Sequence, residues 1–254
     1  MLAGTVAALA VFISVSAVRD ALARRARLEA QAARDTILTE DDIAHGIVRK
    51  ALALDGLHQE VSPAELRRRV SNLAVGTYMN DILAEQDSTL YRWPDRLGNA
   101  LRVYVEPTSP LASWRTQYPQ LARGVFDEWS EAGFPLRFTF VFDSVGADIS
   151  IRWIDRFPDA DGQRIGVTER LQGSDYLVVR ARVDVAMRDS AGRVLTPVVV
   201  GGIIRHEVGH ALGLNHSNDP SSVMYKEAAT SVIGESDRAT LRAMYLVPAG
   251  SLKD

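Results

Sequence analysis

The sequence predicts a layered architecture of strands mixed with a few helices, either α+β or α/β. Between residues 101 and 187 the chain passes through five stretches with strand character, and helical patterns lie before, among and after them. Two helix starts carry their own punctuation, Ser62-Pro63 and Thr196-Pro197, each a capping side chain followed by proline at the first helical position.

In chain order, Leu2–Val18 is apolar and carries no charged residue. As a helix it would span about 25 Å, short of the roughly 30 Å of a bilayer core. It reads as a signal peptide or a membrane anchor, with Val15-Ser16-Ala17 or Ala21-Leu22-Ala23 as cleavage candidates. Arg19, Arg24, Arg25 and Arg27 follow it and no basic residue precedes it, a charge bias that opposes export. The expected location is nonetheless extracytoplasmic, secreted or membrane-anchored, with membrane association through residues 2–18. Arg19–Asp35 is amphipathic, and Thr39 before Glu40-Asp41-Asp42 suits a helix N-terminus. Ser62, Pro63 and Glu65 open a helix with Leu66, Val70, Leu73 and Ala74 at helical spacing. The pattern changes at DSTLYRWP, residues 87–94. Residues 19–92 are therefore expected to form a helical stalk or propeptide-like segment, and 93–254 the main domain.

Within that domain Leu101–Val105 alternates as a strand, and residues 114–131 form a helix with Leu121, Val125, Phe126 and Trp129 on its buried face. Strands follow at Leu136–Phe142, Asp148–Trp153, Gly166–Leu171 and Leu177–Met187, the last two joined by a turn at 172–175. A helix opens after Thr196-Pro197, and a last helix covers about Ser236 to Tyr245.

Composition narrows the function. Apolar residues are 46% and charged residues 24%, so the chain is neither disordered nor a polytopic membrane protein. The net charge of −3 gives no nucleic-acid footprint. Without cysteine there is no disulfide, thiolate metal site or cysteine nucleophile, so any metal must rest on histidine and carboxylate. Of the five histidines, His45 and His58 have no ligand partner at i+3 or i+4 and read as surface residues. The other three lie close together, in His206-Glu207-Val208-Gly209-His210 and at His216. Positions i and i+4 share a helix face, so both imidazoles can reach one ion. Glu207 can reach a water on that ion without being a ligand. Gly213 suits the left-handed turn that ends the helix and brings His216 round as a third nitrogen. Three protein ligands leave a position open, as in catalytic zinc sites. Histidines merely satisfied within a helix are the bland alternative, and they do not explain the acid and the glycine at fixed positions.

The pattern H-E-x-x-H-x-x-G-x-x-H resembles the metzincin zinc peptidases. Ser222-Val223-Met224-Tyr225 looks like their methionine turn, and Ser217 after the third histidine is similar to the matrixin branch. Ala147–Ile151 resembles the matrixin third strand, and the likeness covers about 101–246. It implies an α+β zincin with a twisted, mixed five-stranded sheet and three main helices, preceded here by a helical segment. It implies one catalytic Zn²⁺ on His206, His210 and His216, Glu207 as general base, and polypeptide as substrate. Gly213, Met224 and Tyr225 would be structural supports. Gly166, Val167, Thr168 and Glu169 would lie on the edge strand that pairs with substrate, and Lys226 to Glu235 would wall the specificity pocket. The chain departs from the family in having no histidine from 59 to 205, so the second, structural zinc cannot be built. Asp155, Asp159 and Asp161 leave structural calcium open as an alternative, but solvated loop acids are the preferred reading, because their spacing matches no calcium loop. The rival reading is a latent or non-catalytic zinc-bearing protein-binding module; intact Glu207 argues against it.

Overall fold

The computed structural model describes residues 62–95, 99–158, 164–226 and 232–253. The apolar leader, residues 19–61 with His45 and His58, Asp159, Asp161 and residues 227–231 of the expected pocket wall lie outside the described residues. Among the described residues no helix is long and apolar enough to cross a membrane.

The elements are α1 (Pro63–Leu73), α2 (Met79–Glu85), β1 (Thr89–Leu90), β2 (Leu101–Val105), α3 (Tyr118–Ser130), β3 (Phe138–Val141), β4 (Ile149–Ile154), β5 (Gly166–Gln172), β6 (Val178–Ala186), α4 (Pro197–Ala211), α5 (Glu235–Tyr245) and β7 (Gly250–Ser251). The caps behave as the sequence predicts: the Ser62 and Thr196 side chains accept from the amides of Glu65 and Val199. The main sheet has five strands in the order β3-β2-β4-β6-β5. The first four are parallel and β5 runs antiparallel to β6, which makes the sheet mixed and the fold α+β as expected.

Alternation decides which face of the sheet is covered. Leu101, Val103 and Val105 of β2, and Ile149, Ile151 and Trp153 of β4, are buried, while the residues between them are not. Against this apolar face pack Val125, Phe126 and Trp129 of α3 and Val200, Ile204 and Val208 of α4, all in one continuous core. Leu121, expected in the buried stripe, is only half-buried at its margin.

The structure does not separate the chain at residue 93. Leu66 and Val70 of α1, Met79 and Ile82 of α2, and Leu90 and Trp93 belong to the same core as the sheet. The strand β1 pairs with β7 at the far end of the chain. Trp93 is fully buried, and its Nε1–H donates to the Ala211 carbonyl at the end of α4, 2.8 Å away. The physical reason is that two short amphipathic helices cannot bury their apolar faces on each other alone. Residues 62–92 are thus part of this domain's core and do not form a separate stalk.

Candidate active site

Helix α4 carries two of the site's histidines and is pinned at both ends of the motif. Trp129 Nε1–H donates to the Arg205 carbonyl at 3.1 Å, and Arg205 itself makes a two-point ion pair with Glu128. Past His210, Trp93 donates to Ala211 O, and the Tyr245 hydroxyl donates to Leu212 O at 2.8 Å. These donors satisfy carbonyls that a helix end leaves without intrahelical partners. Gly213, at φ +114°, then reverses the chain, a conformation that disfavours any residue with a Cβ.

The reversal brings His206, His210 and His216 together. One ring nitrogen from each lies within 4.8 Å of those of the other two, and the Nε2 atoms of His206 and His210 are 3.1 Å apart. Each ring is held from behind through Nδ1: His206 on Val223 O at 2.7 Å, His210 on Leu214 O at 2.9 Å, and His216 on Glu85 Oε1 at 2.7 Å. A carbonyl oxygen only accepts, so Nδ1 of His206 and His210 carries the proton and Nε2 keeps its lone pair. Burial lowers the pKa of His206 and, more strongly, His210, which keeps these rings neutral. Three imidazoles with a ring nitrogen each converging on one place suit a Zn²⁺ ion held by nitrogen ligands.

Glu207 is buried beside them. Its Oε2 accepts from the Thr168 hydroxyl at 2.7 Å, and that hydroxyl also lies 2.9 Å from Glu207 O. Burial pushes the Glu207 carboxyl up to about 7, and the Thr168 bond opposes this. The strand can approach so closely because residue 166 is glycine. A Cβ there would sit 2.7 Å from both Glu207 Cγ and Ile203 Cγ2.

Beneath the rings, Met224 is fully buried and its thioether packs on Gly209. The turn that carries it is held by the buried Asp237 carboxylate, which accepts from the Ser222 hydroxyl and the Val223 amide. The Ser217 amide donates to Met224 O at 3.0 Å, and Tyr225 is half-buried beside it. A cleft of about 440 Å³ runs over the site, lined by Gly166, Val167, Thr168 and Arg170 on one side and by His206, Glu207, His210 and His216 on the other. The Glu169 side chain does not line it, while its backbone lies on the edge strand β5 with Gly166, Val167 and Thr168. It pairs with Arg182, its cross-strand neighbour on β6, at 2.8 Å. Asp155 pairs with Arg188 at 3.2 Å.

Several of these partners were not singled out from the sequence: Thr168 as a contact of Glu207, and Glu85 and Asp237. One signal for Glu85 was present. Asp81 and Glu85 stand four apart on a helix, a like-charge spacing that disfavours the helix unless both acids meet donors elsewhere.

In comparison with known families, the family model described as Matrixin matches residues 98–246. No curated protein matches the chain.

Proposed function

The chain belongs to the matrixin family of zinc metallopeptidases, and from that premise we propose that it is an endopeptidase that hydrolyses extended polypeptide, with Glu207 as its general base. The observation that carries the reading is the orientation of the three rings: each Nδ1 is engaged from behind, so all three Nε2 atoms face one point beside Glu207. His206, His210 and His216 would hold the ion. When bound, zinc supplies a Lewis acid for the scissile carbonyl and lowers the pKa of a coordinated water. Glu207 takes the proton of the attacking water and delivers it to the leaving amine. Thr168 fixes the rotamer of that carboxylate through Oε2. β5 lies at the edge of the sheet, so its outer backbone groups are available to an extended substrate by strand addition. Action outside the cytoplasm is part of the proposal and is supported by the apolar run 2–18 alone.

The test is zinc content and cleavage of unfolded casein by the full chain beside Glu207→Ala. The variant should keep its zinc and lose activity by about 10²–10⁴. Activity within threefold of wild type would remove Glu207 from the mechanism. A zinc-loaded wild-type chain that cleaves nothing would instead favour the non-catalytic binding module.

A further inference from the structure

Helix α2 precedes the residues that match the matrixin family, yet its last residue reaches the histidine cluster. Glu85 accepts two hydrogen bonds from His216: from the ring at Nδ1 through Oε1, 2.7 Å, and from the backbone amide through Oε2, 2.9 Å. One turn earlier, Asp81 grips Asn218 in the same manner, accepting from its backbone amide at 3.0 Å and its side-chain Nδ2 at 2.9 Å. Glu85 alone of the two acids touches the third ring, and Asp81 holds the chain two residues beyond it. On the other side Arg170 of β5 donates to Asn215 Oδ1 at 2.7 Å, and its guanidinium charge acts on Glu85. Gln86, next along the chain, meets the Asn215 side-chain amide.

The three rings are therefore not held alike. His206 and His210 rest on backbone carbonyls within the matched residues, whereas His216 depends on a side chain from outside them. A carboxylate behind an imidazole fixes its tautomer, orients the ring and makes the other nitrogen more basic.

We propose that Glu85 is the positioning residue for the third zinc ligand: it holds His216 as the Nδ1–H tautomer with Nε2 turned toward His206 and His210. The segment ahead of the matched peptidase residues then sets how tightly the chain binds its metal. This rests on the zinc reading above, and it asks more of α2 than packing.

The experiment uses the full chain and its Glu85→Ala, Glu85→Gln and Asp81→Ala variants. Zinc affinity is measured by competition with a chromophoric chelator, and the ring ¹⁵N shifts of His216 by NMR on the EDTA-treated proteins. Loss of an outer partner of a metal ligand weakens binding by roughly 10–100-fold. Glu85→Ala should do so and turn the His216 ring from a single tautomer into a mixture. Glu85→Gln keeps one acceptor and should recover much of the affinity. Asp81→Ala, which touches the loop but not the ring, should stay within about threefold of wild type. An unchanged Kd for Glu85→Ala overturns the proposal. So does an equal loss in Asp81→Ala, since both acids would then act only as loop anchors. If Glu85→Ala does not fold, Glu85→Gln decides, and wild-type affinity together with a mixed tautomer would overturn it. If the wild type takes up no zinc, the metal reading fails by itself, and the ring shifts still judge the Glu85 contact.

Discussion

Replacing Trp93 with alanine tests whether the residues before the matched segment belong to the peptidase core. The indole is fully buried, and its Nε1–H is bonded to Ala211 O, one residue beyond His210. Removing a buried Trp costs about 3–5 kcal/mol through lost burial and the cavity left behind. The carbonyl of Ala211 also loses its indole donor, in a buried position where an unmet acceptor costs about 1–3 kcal/mol. The combined loss is about 4–6 kcal/mol once partial relaxation is allowed for. That is a large share of the roughly 5–15 kcal/mol that holds a domain together. Trp93→Phe retains most of the apolar volume and should cost about 1–3 kcal/mol, mostly the hydrogen bond. Urea unfolding followed by circular dichroism, at one pH and with EDTA present, measures both. A loss below about 1 kcal/mol for Trp93→Ala would mean that residue 93 lies outside the cooperative unit, and the integrated domain described above would be wrong.

A chain beginning at Asp95 discards Leu66, Val70, Met79, Ile82, Leu90 and Trp93 from the core and should aggregate, whereas one beginning at Ser62 should melt cooperatively; a soluble, zinc-loaded Asp95 chain would restore the boundary at residue 93. Elemental analysis should find one zinc per chain, because the described residues hold a single cluster of three or more metal-binding side chains; two tightly held zincs would implicate His45 and His58. Gly209→Ala would drive a Cβ into the Met224 thioether and within 3.1 Å of Trp129 Cζ2, and overpacking of this kind costs about 1–3 kcal/mol. A neutral result in urea unfolding would show that the floor beneath the histidines is looser than the packing described.

What the sequence determined by itself was whatever rests on short-range spacing. His206 and His210 sit one helical turn apart, and Gly213 follows at the point where only a residue tolerant of positive φ ends the helix easily. The five strands and the capped starts at Ser62 and Thr196 follow from periodicity and local hydrogen bonding in the same way. Tertiary structure decided the contacts that no period encodes. Glu85 meets His216, Trp93 meets Ala211 and Thr168 meets Glu207 across long stretches of chain, and each pairing exists only because the sheet and helices have already packed. Glu169 shows the same limit from the other side. Its neighbours on β5 line the cleft, but its carboxylate meets Arg182, a cross-strand neighbour that exists only once β5 has paired with β6. The boundary expected at residue 93 was a change of local pattern, whereas a domain is defined by where apolar faces find cover, and the faces of α1 and α2 find it on the peptidase core.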